Sequence, residues 1–375
     1  MKHQRTLAVA AATAVAALAL VGCTPAAEPA PSASEPAAAG ITADVDAARA
    51  SIQPIIDGPT AFTVTEQLDG DAAGKRFAII DCGTPICALM GQLAAEPAGL
   101  LGATTTVIQS GSNADSIAAA FATIVADDYD GVFVPALPFQ LWERQFEELR
   151  AAGVPVVTTG VLGLPADFDG SMSAEKANES NGRWLAEWTI AQGEVGHNSV
   201  IYRTPELPFT NHLIEAYKQR IDELCDGCVV RDVDIPIATM GTTSSSIIVD
   251  DLSANPDTTL AVFSIGEQAT GLPAALKVAN IDVATSMFGA GPAQLVDIQN
   301  GDLDASLVLD SRALVWTLID SLARQSVGQP VSAGAAADEP IRQFVTADNL
   351  SGDMSMGWAG YPDMVERFKT LWGIN

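Results

Sequence analysis

Basic residues are scarce in this 375-residue chain: 19 Lys and Arg stand against 46 Asp and Glu, for a formal net charge of −27. No stripe or cluster of Lys and Arg is present to meet a phosphate backbone, which sets nucleic-acid binding aside. So acidic a surface also repels anionic lipid and favours solubility. Histidine is scarcer still, with three in all. His197 falls in a Gly-rich turn before a strand-like run and His212 at a helix start, neither beside an obvious acid or nucleophile. No GxSxG elbow, phosphate loop or HExxH pair occurs. Paired carboxylates such as Asp127-Asp128 and Asp250-Asp251 end or flank helix-like stretches, where they read as solvated. The chain is therefore expected not to be an enzyme and to need no cofactor or metal.

Long apolar runs are missing too, except at the start. Lys2 and Arg5 precede an apolar or small-residue run over 7–21, and Gly22 precedes Cys23. The run is too short and too poorly flanked for a membrane span, so residues 1–22 read as a secretory signal peptide. The tetrad Leu20-Val21-Gly22-Cys23 resembles the lipobox of bacterial lipoproteins, which implies cleavage before Cys23 and a lipid on its thiol. Residues 24–40, TPAAEPAPSASEPAAAG, hold no large apolar group and cannot offset chain entropy by burial, so they read as a disordered tether. Residues 23–70 are thus expected to be a lipid-anchored tether and N-terminal extension. The protein would sit outside the cytoplasm, attached to the bacterial cell membrane without spanning it.

Five cysteines suit that compartment, because disulfides persist outside the cytoplasm. One carries lipid and four fall into two close pairs, Cys82 with Cys87 and Cys225 with Cys228, so the odd count is explained. A zinc site would have to join segments far apart, with no histidine near either pair. A redox CxxC opens a helix after a strand, where the helix terminus lowers the thiol pKa. Cys225-Asp226-Gly227-Cys228 instead follows a helix-like stretch over 213–224 and precedes a strand-like one over 229–235. Both pairs read as structural disulfides.

What the chain does have is alternation. Strand-like runs KRFAII (75–80), TTTVIQ (104–109), GVFVP (131–135) and VPVVTT (154–159) are separated by helix-like stretches, and the pattern restarts after Gly160. Strands and helices at this spacing predict βαβ units with parallel sheets covered on both faces. The length exceeds one ordinary core. Two α/β domains follow, joined near residues 158–162, with Trp184 and Trp188 of the helix over 178–193 assigned to core packing. In open parallel sheets ligands bind beyond the carboxyl ends of the strands. The loops after each strand, such as 81–87, 136–139, 238–241, 264–268 and 289–291, are the places for a site.

The chain resembles the ribose-binding-protein-like (type I periplasmic) substrate-binding lipoproteins of sugar-type ABC transporters over roughly residues 72–330. The resemblance is carried by YDGVFVP, LRAAGVPVVTTG, NESNGRWLAE, PDTTLAVFSIGEQATGLPAALK and IQNGDLDASLVLDSRALVWTLIDSLARQSVGQPV. The tail GWAGYPDMVERFKTLWG is similar to an ending of actinobacterial lipoprotein members, which also carry a close cysteine pair after the first strand. The resemblance implies an α/β fold of two Rossmann-like lobes with parallel sheets joined by a three-strand hinge. One lobe is expected over 71–160 plus 311–340 and the other over 161–310 plus 341–375. It also implies a small-molecule solute, a membrane ABC permease as partner, and a monomer. The family's sugar-gripping groups do not carry over. The Asp after the fourth strand's Pro is replaced by Ala136 and Leu137, the Asn-Asp pair falls on Ile265 and Gly266, the Asp of the GFD turn near Gly289, and the arginine near Asn211. Such a pocket leaves hydroxyls unpaired, which suits a less polar solute than a free monosaccharide.

Thr84, Phe139, Phe209, Asn211, Met240, Glu267 and Asp310 are the expected ligand-binding residues. Phe139 and Phe209 would offer flat apolar contact to a ring face. Asp310 falls where the chain changes lobes. A Cys82–Cys87 bridge would fix the loop carrying Thr84 at the cleft mouth, reducing the ordering cost of closure. The alternative to import is a receptor of the same build that presents its ligand to a membrane sensor or signalling system.

Overall fold

The computed structural model of this chain describes residues 40–59, 61–111, 113–338 and 340–374. The expected signal peptide, Cys23 and residues 24–39 of the tether lie outside the described residues.

The described chain begins with β1 (Thr42–Ala43) and α1 (Val45–Asp57). There follow β2 (Arg76–Asp81), α2 (Pro85–Leu100), β3 (Thr104–Gln109), α3 (Ala114–Ala126), β4 (Gly131–Pro135), α4 (Glu143–Ala151), β5 (Val156–Thr159) and β6 (Ser171–Met172). These strands form one sheet in the order β3-β2-β4-β5-β6, parallel throughout. Next come α5 (Glu175–Ala191), β7 (Asn198–Arg203), α6 (Pro208–Leu224), β8 (Cys225–Asp226), β9 (Val229–Asp234), α7 (Ser244–Ala254) and β10 (Leu260–Phe263). The chain continues through α8 (Leu272–Ala279), β11 (Ala284–Phe288), α9 (Pro292–Gln299), β12 (Ala305–Leu309), α10 (Ser311–Ser326), α11 (Ala333–Ala336), β13 (Arg342–Thr346) and α12 (Met364–Trp372). The second sheet runs β13-β12-β11-β10-β7-β9, parallel except for the antiparallel edge strand β13.

Burial explains the near-continuous apolar strands. Phe77, Ile79, Phe133 and Val157 point into one core, while Ala78, Ile80, Val132 and Val134 point into another on the opposite face. The second sheet divides likewise, with Tyr202 and Phe263 on one side and Ile201, Leu260 and Val262 on the other. Strands covered on both faces have no need of polar alternation. Each of these fully buried side chains contributes about 1.5–3 kcal/mol. The helices start where local chemistry dictates: Asn113 Oδ1 accepts from Ser116 N at 2.9 Å to cap α3, and Pro208 opens α6 at its first turn.

The lobe boundaries differ from the expected ones in three places. Residues 171–172 pair with β5 as β6, so the first passage to the second sheet comes after Met172 and not near 158–162. A two-residue strand has no periodicity to read. The last helix, α12, packs on α10 behind the first sheet, although 341–375 was expected in the second lobe. Trp372 stacks on Trp316 at 5.6 Å and its Nε1 donates to Asp320 at 2.8 Å. Finally, residues 42–57 are a folded part of the second lobe: β1 pairs with β8, and α1 packs on α5 and β13. The three passages near residues 173, 310 and 340 are thus joined by two more, from the extensions at either end.

The rear of α10 carries a buried ion pair with further hydrogen-bond partners on both sides. Arg324 and Asp320 are 1% and 0% exposed and meet at 2.6 Å. Arg324 also donates to the carbonyls of Gln67 and Glu66, which fastens the segment leading into β2. Burial pushes the Asp320 carboxyl up, against the pull of Arg324 and Trp372.

Candidate functional site

The loops at the carboxyl ends of both sheets face one another across a cleft. On the first lobe, Asp81 fixes the turn out of β2. Its Oδ1 accepts from Gly83 N at 2.9 Å and its Oδ2 from Gln109 Nε2 at 2.7 Å. A disulfide joins Cys82 to Cys87 with a Cα separation of 5.8 Å, and a second joins Cys225 to Cys228. Thr84 caps α2, its hydroxyl accepting from Cys87 N at 3.4 Å. Cap, bridge and carboxylate together hold the first turn of α2 toward the second lobe. There Ile86 N donates to Glu267 Oε1 at 3.1 Å. This is a direct hydrogen bond between lobes, from a helix N-terminus to a carboxylate, the pairing a helix dipole favours.

Three adjoining cavities fill the rest of the cleft. The smallest, of about 100 Å³, is walled by Leu89, Met90, Phe209, Ile265, Phe288 and Trp358, with Thr159, Ser173 and Ser311 as its side-chain hydroxyls. A second, of about 250 Å³, lies between Thr84, Leu137, Leu141, Phe209, Met240 and Glu267. A third, of about 520 Å³, opens between Gln92, Met240, Glu267, Thr270 and Gln294. Ile86 borders all three. Gly266 permits the second-lobe wall: a methyl there would sit 2.8 Å from Ala290 Cα, so any side chain would push the loops after β10 and β11 apart. Ala136 and Ser173, both in the left-handed region (φ 54° and 60°), also line the smallest cavity. Strained non-glycine residues concentrate at sites of this kind.

Of the expected residues, Thr84, Phe209, Met240 and Glu267 come together around the cleft. Three do not. Phe139 is 5% exposed and makes edge contacts with Trp142 and Phe146 in its own lobe's core, so it staples its helix to the sheet. Asp310 is 1% exposed and caps α10 through Ala313 N at 2.8 Å, while its other oxygen accepts from Gly360 N at 2.7 Å. It fastens the hinge to the tail; burial still pushes its carboxyl up. Asn211 borders none of the three cavities, and its buried Oδ1 has no partner among the described residues. Three of the positions where sugar-gripping groups were missing do fall in the wall: Ala136, Ile265 and Gly289 all line the smallest cavity.

Sequence reading missed Ile86, Leu89 and Met90 of α2, Phe288, and Trp358 of the tail. A signal existed. The α2 sequence PICALMGQLAAEPAGL has one charged residue, so it is apolar on every side and needs a second surface to bury against. Electrostatically the cleft is one-sided. Burial pushes the Glu267 carboxyl above its ordinary value, and the single N–H from Ile86 offsets only part of that. Among the described residues, no Lys, Arg or His lines any of the three cavities.

Two Rossmann-like lobes around such a cleft define a solute-binding protein fold, and the comparisons agree. The model of the periplasmic binding protein domain family matches residues 77–330, and the chain belongs to that family. No curated protein matches this sequence. Among solved structures it is similar to an ABC transporter solute-binding protein from Bacillus halodurans with bound myo-inositol, at 17% identity and TM-score 0.62, covering 75% of this chain and 97% of that one. It is also similar to GanP, a glucose-galactose binding protein from Geobacillus stearothermophilus, at 14% identity and TM-score 0.62, covering 74% and 99%. The XylFII-LytSN complex matches at 15% identity and TM-score 0.61, covering 73% and 98%. At these identities the likeness is one of fold. Among the described residues no helix is long and apolar enough to cross a membrane.

Proposed function

We propose that this protein is an extracytoplasmic solute-binding protein, anchored by a lipid on Cys23, that captures a small molecule between its lobes and delivers it to an ABC importer. The observation that carries the proposal is the largely apolar cleft between the lobes, bridged where Ile86 N meets Glu267. Thr84, Phe209, Met240 and Glu267 are the residues proposed to touch the solute. The family's sugar-gripping groups are replaced in the wall, so the solute is a sugar or a less polar sugar-like molecule. The protein works as a monomer, without catalysis and without nucleic acid.

Binding between lobes stabilises the folded protein by linkage, by about 2.7 kcal/mol at a hundredfold excess over Kd. A thermal-shift screen over sugars, polyols, nucleosides, amino acids and aromatic acids is expected to find compounds that raise Tm. A broad library that never shifts it would end the proposal. The anchor is tested separately, by the mass of the mature N-terminal peptide and by release of Cys23→Ala into the medium. The XylFII-LytSN neighbour supports a second reading, a receptor that presents its ligand to a sensor. Loss of ligand uptake on deleting this protein favours import. Intact uptake with loss of a ligand-induced transcriptional response favours the receptor.

A further inference from the structure

The cleft has a carboxylate and no cation, and that imbalance selects a ligand. Three observations converge. First, Glu267 borders both of the larger cavities, and Glu206 lines the smaller of these two. Second, Glu267 has one partner, the Ile86 N–H on Oε1; Oε2 makes no hydrogen bond among the described residues. A partly buried carboxylate so poorly matched gains most from a hydrogen-bonding cation. Third, the surrounding wall is apolar: Ile86, Leu137, Leu141, Phe209, Ile237, Met240 and Ile265 leave a ligand's remaining atoms no charged group except Glu206 to meet.

An anionic solute would meet repulsion here without compensation. Against the apolar wall of the cavity beside Phe209 and Met240, a polyol would bury hydroxyls with few partners, at a cost of about 1–3 kcal/mol for each one left unpaired. An apolar body bearing a single ammonium satisfies both halves of the site. Its carbon skeleton replaces water against the Phe209 and Met240 side, and its N–H donors reach Glu267. The acidic exterior, with its formal net charge of −27, draws cations toward the cleft as well.

We infer that the ligand accepted between the lobes is a small organic amine with an apolar body, whose ammonium pairs with Glu267. This rests on the reading of capture between the lobes and puts an amine in place of its sugar or sugar-like solute. The test is calorimetric titration and thermal shift of the full mature protein. The probes are 2-phenylethylamine and cyclohexylamine, their neutral counterparts 2-phenylethanol and cyclohexanol, and myo-inositol and glucose as hydroxyl-rich controls. At pH 7.5 each amine is expected to bind at least about tenfold more tightly than its alcohol. Glu267→Gln is expected to bring the amine down to the level of the alcohol, whereas Glu206→Gln keeps most of the preference. Continued binding of the alcohols to Glu267→Gln shows that its cleft has folded. Lowering the pH toward 4.5 is expected to erase the preference in the parent protein as Glu267 takes up a proton. Equal affinity for amine and alcohol, or an amine preference that survives Glu267→Gln, overturns the inference. Binding of glucose or myo-inositol without the amines also overturns it, while leaving capture between the lobes intact. Silence from every probe and from the broad library fails both readings together.

Discussion

The charges behind α10 and the charge in the cleft are two solutions to one physical problem. Behind α10, Arg324 and Asp320 are sealed from water, and each has further partners: two carbonyls for the guanidinium, the Trp372 indole for the carboxylate. In the cleft, Glu267 has lost much of its water and holds a single backbone N–H. A saturated buried charge locks structure, because nothing arriving later can improve its surroundings. An undersaturated one in an open cavity leaves interaction energy for an incoming molecule. The contrast separates scaffold from site more sharply than burial does, since Asp310 is more buried than Glu267 and yet only fastens chain to chain.

The largest blow to the saturated side is Arg324→Ala. It strands the Asp320 carboxyl in the interior and is expected to cost about 3–5 kcal/mol in denaturant unfolding. A loss below about 1 kcal/mol would remove the distinction drawn here. Asp310→Ala comes next, at about 2–3 kcal/mol, because it deletes the α10 cap and leaves Gly360 N without its acceptor. Limited proteolysis should then show the tail after residue 350 cut first. Replacing Cys82 and Cys87 together by Ser is expected to cost about 2 kcal/mol of stability. It should also weaken ligand affinity, measured by titration, since the first turn of α2 is no longer fixed before binding.

The smallest effect reverses sign. The folded protein holds the Glu267 carboxyl above its ordinary value of 4.5, so the proton favours the folded state. Its contribution is complete below that value and is lost as pH rises through the folded pKa. Glu267→Gln never ionises, so at pH 7 in the absence of ligand it is expected to melt roughly 1–2 °C above the parent. The gap should close on approach to pH 4.5, and a gap that widens toward acid pH would contradict the assigned direction.

Element type and order were legible from the sequence because doubly covered strands such as GVFVP and LAVF leave unbroken apolar runs between helix-like stretches. The parts that escaped are those in which tertiary contact overrides local pattern. The two-residue strands β1, β6 and β8 exist through their partners alone. The tail helix has an ordinary amphipathic pattern that says nothing about which lobe it covers. Phe139 and Phe209 read alike, each beside a proline ahead of a helix-like stretch, and only packing sends one into the core and the other to the cleft. Trp358 escaped for the opposite reason, lying in a loop more than 250 positions after α2, with which it lines one cavity, so no local window contains both.

Because the described chain starts on one lobe, at α1, and finishes on the other, at α12, its extremities form a natural gauge. Dyes placed at Asp46 and Glu366, both on exposed faces of those helices, would sit on different lobes. Energy transfer between them would follow the opening angle in real time, with no label intruding on the solute's space.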